Sequence, residues 1–104
     1  MKFIYVNEAT NAVITEITAD YVQKKISIVN HTDDAIDRAF GINEHPSFDD
    51  WNRFLESRCV PRSRGDIKTY LKTIGVDWYD PLSIVKKTGG RMAEDRNALL
   101  LVEE

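Results

Sequence analysis

Hydrophobic and polar positions in the first thirty residues alternate with a period of two, the repeat that sends successive side chains to opposite faces of a strand. Lys2-Phe3-Ile4-Tyr5-Val6 is rich in strand formers, Asn7 to Asn11 is turn chemistry, and Ala12 to Asp20 alternates Val13, Thr15 and Ile17 with Ile14, Glu16 and Thr18. A third run, Lys25-Ile26-Ser27-Ile28-Val29, follows a polar turn around Gln23 and Lys24. Loops this short join antiparallel neighbours, whereas parallel strands need a long crossover. Residues 1–30 are therefore predicted to form a three-stranded antiparallel meander, apolar on one face and in need of cover.

Beyond residue 30 the pattern becomes helical and heavily punctuated. Thr32-Asp33-Asp34 can cap a short helix, Ala35 to Phe40, stopped at Gly41. Ser47 is the N-cap of a second helix, with Asp50 three residues on, and Trp51, Phe54 and Leu55 form one buried stripe at i, i+3, i+4. That helix stops before Pro61. Ser63 is predicted to cap a third, bearing Ile67, Tyr70, Leu71 and Ile74 and closed by Gly75. Asp80-Pro81 opens a fourth, with Leu82, Ile84 and Val85, that ends at Gly89-Gly90. Leu99-Leu100-Leu101-Val102 fits a short closing strand or a helix, because four residues do not separate the two periods. The fold class is α+β: one domain over residues 1–104, with the N-terminal meander (1–30) packed against three to four short helices (31–104).

Composition sharpens this picture in one respect. A chain of 104 residues with 42% hydrophobic and 30% charged residues is that of a soluble, folding domain. The first residues show no secretory segment and the longest uncharged apolar run, Ala98 to Val102, is too short to cross a bilayer, so no membrane association and a cytoplasmic location are expected. The charge is uneven. Residues 1–50 hold four Lys/Arg against nine Asp/Glu, whereas residues 51–104 hold ten against eight. The acidic half suits docking on a basic partner.

Candidate catalytic chemistry is sparse. His31 and His45 lack any metal-ligand spacing, Cys59 has no Cys-x-x-Cys companion and reads as a buried thiol, and Gly89-Gly90 lacks the Lys-Ser/Thr of a nucleotide loop. Most acids, Asp33, Asp34, Asp49, Asp50, Asp80, Glu94 and Asp95 among them, coincide with predicted helix N-termini, where backbone N–H groups already account for an anion. No enzyme activity, cofactor or metal is expected. Arg58, Arg62, Arg64, Lys68 and Lys72 flank the break between two helices, as in a helix-turn-helix DNA reader, which is the alternative reading. Against it stand the net charge of −3 and Asp66 at the start of the second helix. The competing account has Arg58 complementing a helix dipole and Lys68 and Lys72 on a solvated face.

One resemblance covers about half the chain. Trp51 to Asp95 holds an aromatic-led helix ending in R-x-x-P-x-x-R (Arg58, Pro61, Arg64), then Leu71 and Gly75 as Leu-x-x-x-Gly, Asp80-Pro81, and a glycine-acidic close at Gly90 to Asp95. It resembles the small module near the start of HipA-like proteins and in short stand-alone proteins of Firmicutes and mobile elements. The aromatic that usually follows the closing Asp in that family is absent here, where Arg96-Asn97-Ala98-Leu99 follow. In HipA-like proteins a phosphotransferase domain comes after the module, so the resemblance carries no kinase activity to these residues. It implies a non-catalytic protein-binding module that inhibits or regulates a larger protein partner. Two versions are an antitoxin-like partner of a HipA-type kinase, suggested by the resemblance, and a phage or mobile-element, anti-CRISPR-like inhibitor of a host defence nuclease such as a CRISPR effector, which rests on size, acidity and the mobile-element association. The expected contact residues are Arg58, Arg62, Arg64, Trp78, Tyr79 and Arg91, since Trp, Tyr and Arg are the types that anchor interfaces. For Trp78 and Tyr79 the competing role is a lid over the helix joint.

Overall fold

In the computed structural model, which describes residues 1–104, seven elements follow one another: β1 (Lys2–Asn7), β2 (Ala12–Asp20), β3 (Lys25–Asn30), α1 (Phe48–Ser57), α2 (Ile67–Ile74), α3 (Pro81–Thr88) and β4 (Asn97–Glu103). The fold is α+β, as the alternation and punctuation predict. β1, β2 and β3 form the meander, and the sheet has four strands rather than three, in the order β3-β2-β1-β4 with every pair antiparallel. The ambiguous C-terminal apolar run is the fourth strand. Tyr5 stands opposite Leu99 and Ile4 opposite Leu100, so the run fills the edge of β1 that a three-stranded meander would leave unpaired.

Local chemistry makes the turns. The Asp20 carboxylate accepts from the backbone N–H groups of Val22 and Gln23, and Lys24 takes the left-handed conformation that brings the chain back into β3. At the other hairpin Asn7 accepts from the N–H of Ala9, and Asn11 is left-handed.

Phe3, Tyr5, Ile17, Ala19 and Leu99 belong to the buried core that the helices cover. Trp51 is fully buried against Phe3, with ring centroids 5.0 Å apart, and its indole N–H donates to the Tyr21 hydroxyl at 2.9 Å. Phe54 meets Tyr5 edge-on at 5.2 Å. The predicted stripe of Trp51, Phe54 and Leu55 is thus the face of α1 that seats it on the sheet. Each fully buried apolar side chain of this kind stabilises the fold by about 1.5–3 kcal/mol relative to exposure.

Helix boundaries follow their signals with three exceptions. At α1 the capping box is complete: Ser47 Oγ accepts from the Asp50 N–H at 3.0 Å, and the Asp50 carboxylate accepts from the Ser47 N–H at 2.9 Å. That backbone bond, with help from Arg53 and the Ser47 hydroxyl, lowers the Asp50 pKa to about 2. Gly75 and Gly89 close α2 and α3 in the left-handed conformation, and Asp80-Pro81 opens α3, although the Asp80 carboxylate accepts from Ser83 Oγ rather than from a backbone N–H. The first exception is Ala35–Phe40, which is a chain of turns and not a helix. Asp34 takes the N–H of Ile36 into an Asx-turn, and six residues do not offset the cost of nucleating a helix. The second is Ser63: α2 begins only at Ile67, with Asp66 at the N-cap and its carboxylate held by Arg64. Glu94 and Asp95, too, precede a strand and not a helix.

Candidate functional site

The six candidate contact residues fall into separate places. Arg58 is at the C-cap of α1 and is buried. Its Nε donates to the Gly90 carbonyl at 2.8 Å, Nη1 and Nη2 grip the two Asp95 oxygens at 2.8 and 3.0 Å, and Nη2 also donates to the Asn97 carbonyl at 3.0 Å. The guanidinium lies over the Tyr5 ring, 5.4 Å from its centroid. This knot ties the end of α1 to the segment entering β4, and the Arg58 hydrogen bonds hold the Asp95 carboxyl below its ordinary range. Arg58 is therefore an internal fastener with no surface to offer a partner. The acid predicted to cap a helix, Asp95, is its counter-ion.

Gly90 completes the knot. A Cβ there would stand 2.8 Å from the Leu99 Cβ and 3.2 Å from the Leu99 nitrogen, and φ is +60°. Only glycine lets the chain pass this close to β4 while presenting its carbonyl to Arg58. Arg91, one residue on, is exposed and makes a two-pronged pair with Glu8 beyond the end of β1, at 2.7 and 2.8 Å. Arg64 pairs locally with Asp66 and lies 5.0 Å from the centre of the Tyr70 ring.

Arg62, Trp78 and Tyr79 come together. α2 ends in a paired set of hydrogen bonds, Gly75 N–H to the Lys72 carbonyl and Val76 N–H to the Leu71 carbonyl, which turns the chain sharply back. α3 cannot begin before Pro81, so Val76 to Asp80 must bridge the gap. Val76 is buried and the Tyr79 hydroxyl donates to the Val60 carbonyl at 2.6 Å, which pins both sides of the bridge. Trp78, between them, is left 68% exposed. It is no lid over the joint; Tyr79, half-buried, has that duty.

In front of this bridge lies a groove of about 720 Å³. Ile67, Leu71, Val76, Trp78 and Tyr79 supply its apolar lining. Arg62, Lys68 and Lys72 line it as well, with Asp77 the one acid. Arg62 stacks 4.3 Å from the centre of the Tyr79 ring while its Nε donates to Glu56 at 2.7 Å, so it is fixed and partly neutralised. Lys68 and Lys72, a turn apart on α2, form no ion pair. A smaller neighbouring notch that also touches Trp78 is lined by Lys87 together with Asp77 and Asp80, so it carries no excess of positive charge. Lys68 and Lys72 are exposed, as the solvated-face reading expects, and they also border an apolar trough that neither that reading nor the helix-turn-helix one includes. The signal was present as Ile67/Leu71 and Lys68/Lys72, two parallel i, i+4 rows one residue apart.

Against protein-family models, curated proteins and solved structures, the chain has no match. The likeness to HipA-like modules therefore rests on the residues quoted for it. The other chemical groups offer less. No three His, Cys, Asp or Glu side chains converge into a metal-ligand set. Cys59 is buried, its Sγ–H directed at the Leu55 carbonyl, and burial pushes its thiol pKa up to about 12. His31 lies 2.5 Å from Glu16, which also pairs with Lys2 on the sheet. No helix is long and apolar enough to cross a membrane.

Proposed function

We propose that this chain is a non-catalytic protein-binding module that inhibits or regulates a larger protein, and that the Trp78 groove is its working surface. The observation that carries the reading is the 68% exposure of Trp78 beside Tyr79, whose hydroxyl is tied to Val60 and whose ring carries Arg62. An aromatic anchor beside an apolar trough, with charged groups at the rim, is the arrangement from which interface hot spots are made. Pre-organisation matters as much as composition, because side chains that are ordered beforehand cost little entropy on binding. The sequence resemblance suggests a HipA-type kinase as one partner class, and small size, acidity and the mobile-element association suggest a defence nuclease as another.

Affinity purification with the tagged chain from its native cells, run beside a Trp78→Ala/Lys72→Glu variant, tests this. A stoichiometric protein retained by the wild type and lost by the variant, whose own activity falls when the purified wild-type chain is added, supports the proposal. Equal capture by both would remove the groove from it. The DNA-reading alternative keeps one supporting observation, the unpaired Lys68 and Lys72, but Arg58 is internal and Arg62 and Arg64 are paired with acids. Salt-sensitive duplex binding lost on Lys68→Glu/Lys72→Glu would favour it.

A further inference from the structure

The segment from Asp33 to Glu44 has the opposite chemistry to the groove. Ile36 and Ile42 are 92% and 87% exposed, among the most uncovered large apolar side chains in the protein. Around them stand Asp33, Asp34, Asp37 and Glu44, none of which is in an ion pair. The one cation of the segment, Arg38, donates its Nε to the Thr32 carbonyl at 2.9 Å. The loop is also held from below. Phe40 packs on Phe54 with centroids 5.2 Å apart, and the Ala39 N–H donates to Thr15 Oγ1 at 3.3 Å. Two isoleucines are thus displayed on an anchored, acidic loop.

We propose that the Trp78 groove accepts the Asp33–Glu44 loop of a second copy of this chain. An apolar trough bordered by the unpaired Lys68 and Lys72, against the single acid Asp77, matches a pair of exposed isoleucines flanked by four carboxylates outside any ion pair in both hydrophobicity and sign of charge. The contact is intermolecular because Ala39 and Phe40 pack against their own core and keep the loop in place. Each copy offers one loop and one groove, so copies join head to tail, or two copies close by exchanging loops about a two-fold axis. The inference is independent of any larger partner. Where such a partner uses the same groove, self-association and partner binding compete for Trp78.

The full chain and two variants decide the matter by sedimentation velocity and light scattering across micromolar to millimolar concentrations. In Ile36→Asp/Ile42→Asp the loop is disabled, and in Trp78→Ala/Lys72→Glu the groove is. All four positions are exposed, and matching thermal melts check that the variants fold. The wild type is expected to exceed its 12.0 kDa monomer mass as concentration rises, and to revert in high salt. Each variant alone should associate at least about tenfold more weakly. Mixed together, they should form a one-to-one pair, since one retains the groove and the other the loop. A wild type that stays monomeric throughout, association that either variant leaves unchanged, or a mixture that fails to pair would each overturn the proposal. Capture of a larger protein by a chain that stays monomeric would overturn this inference alone and leave the proposed function standing.

Discussion

The Arg58 knot and the Trp78 groove are built from the same residue types, arginine and aromatics beside acids, yet they do opposite things. At the knot a guanidinium is enclosed, gripped by a carboxylate and two carbonyls, and laid over Tyr5. At the groove Arg62 and Tyr79 are anchored at their edges only, and the neighbouring Trp78 has no partner for most of its surface. The first arrangement spends its hydrogen-bonding capacity on holding the chain together. The second leaves apolar area and two lysines uncommitted. Residue type does not distinguish a fastener from an open surface; what distinguishes them is how much of each side chain's interaction capacity the fold has already consumed.

Four measurements would break or sharpen this contrast. The largest effect is expected from Arg58→Ala, which strands Asp95 and two carbonyls at once and should cost about 3 kcal/mol in urea unfolding, at the lower end for a broken buried pair because Asp95 is partly hydrated. For a chain of this size that corresponds to a fall of roughly 12–24 °C in Tm. Stability within experimental error of wild type would show that the knot is ornamental. Next, Tyr79→Phe removes one hydrogen bond to Val60 but keeps the ring under Arg62, and should cost about 1 kcal/mol while leaving the groove's shape intact.

The third measurement is the pH dependence of the Arg58→Ala deficit. The pair holds the Asp95 carboxyl below its ordinary value, so its contribution is fully present above about pH 4 and is lost as pH falls through the folded-state pKa. The gap between wild type and Arg58→Ala should therefore narrow on acidification below about pH 4. Asp50, lowered to about 2 by the capping box, loses stability in the same direction in both proteins and cancels from the difference. A gap that stays constant down to pH 2 would mean that packing on Tyr5, not charge, is what Arg58 supplies. The smallest effect is expected from Trp78→Ala. It should leave unfolding free energy within about 0.5 kcal/mol, and a larger loss would mean that Trp78 is structural after all.

Local features were legible in the chain. Strand alternation, the Ser47/Asp50 box, the Gly75 and Gly89 stops and the Asp80-Pro81 start act within a few residues, and each stands where the pattern puts it. The misread segments fail for physical reasons of the same short range. At Ala35–Phe40 and at Ser63, side chains able to cap a helix made turns or left the capping position empty, because Asx-turns and helix caps use identical residues. What short-range reasoning could not supply is pairing at a distance. Arg58 meets Asp95 across 37 residues, and Glu8 meets Arg91 across 83. The same limit applies to the groove: Arg62, Trp78 and Tyr79 were singled out by residue type, but that they share a trough with Lys68 and Lys72, whereas Arg58 and Arg91 do not, depends on where Gly75 sends the chain.

The position of Cys59 has a practical consequence. Its sulfur is buried at the end of α1 against the Leu55 and Pro81 carbonyls, and its proton is bound too tightly for thiolate chemistry near neutral pH. A thiol reagent added to the folded protein should react mainly when the contacts around the end of α1 open, so labelling reports that opening. Once the reagent is concentrated enough for labelling to outpace reclosing, the labelling rate becomes the opening rate itself. The native chain thus carries a single-site clock for that opening, against which loss of the Arg58 fastener should run visibly faster.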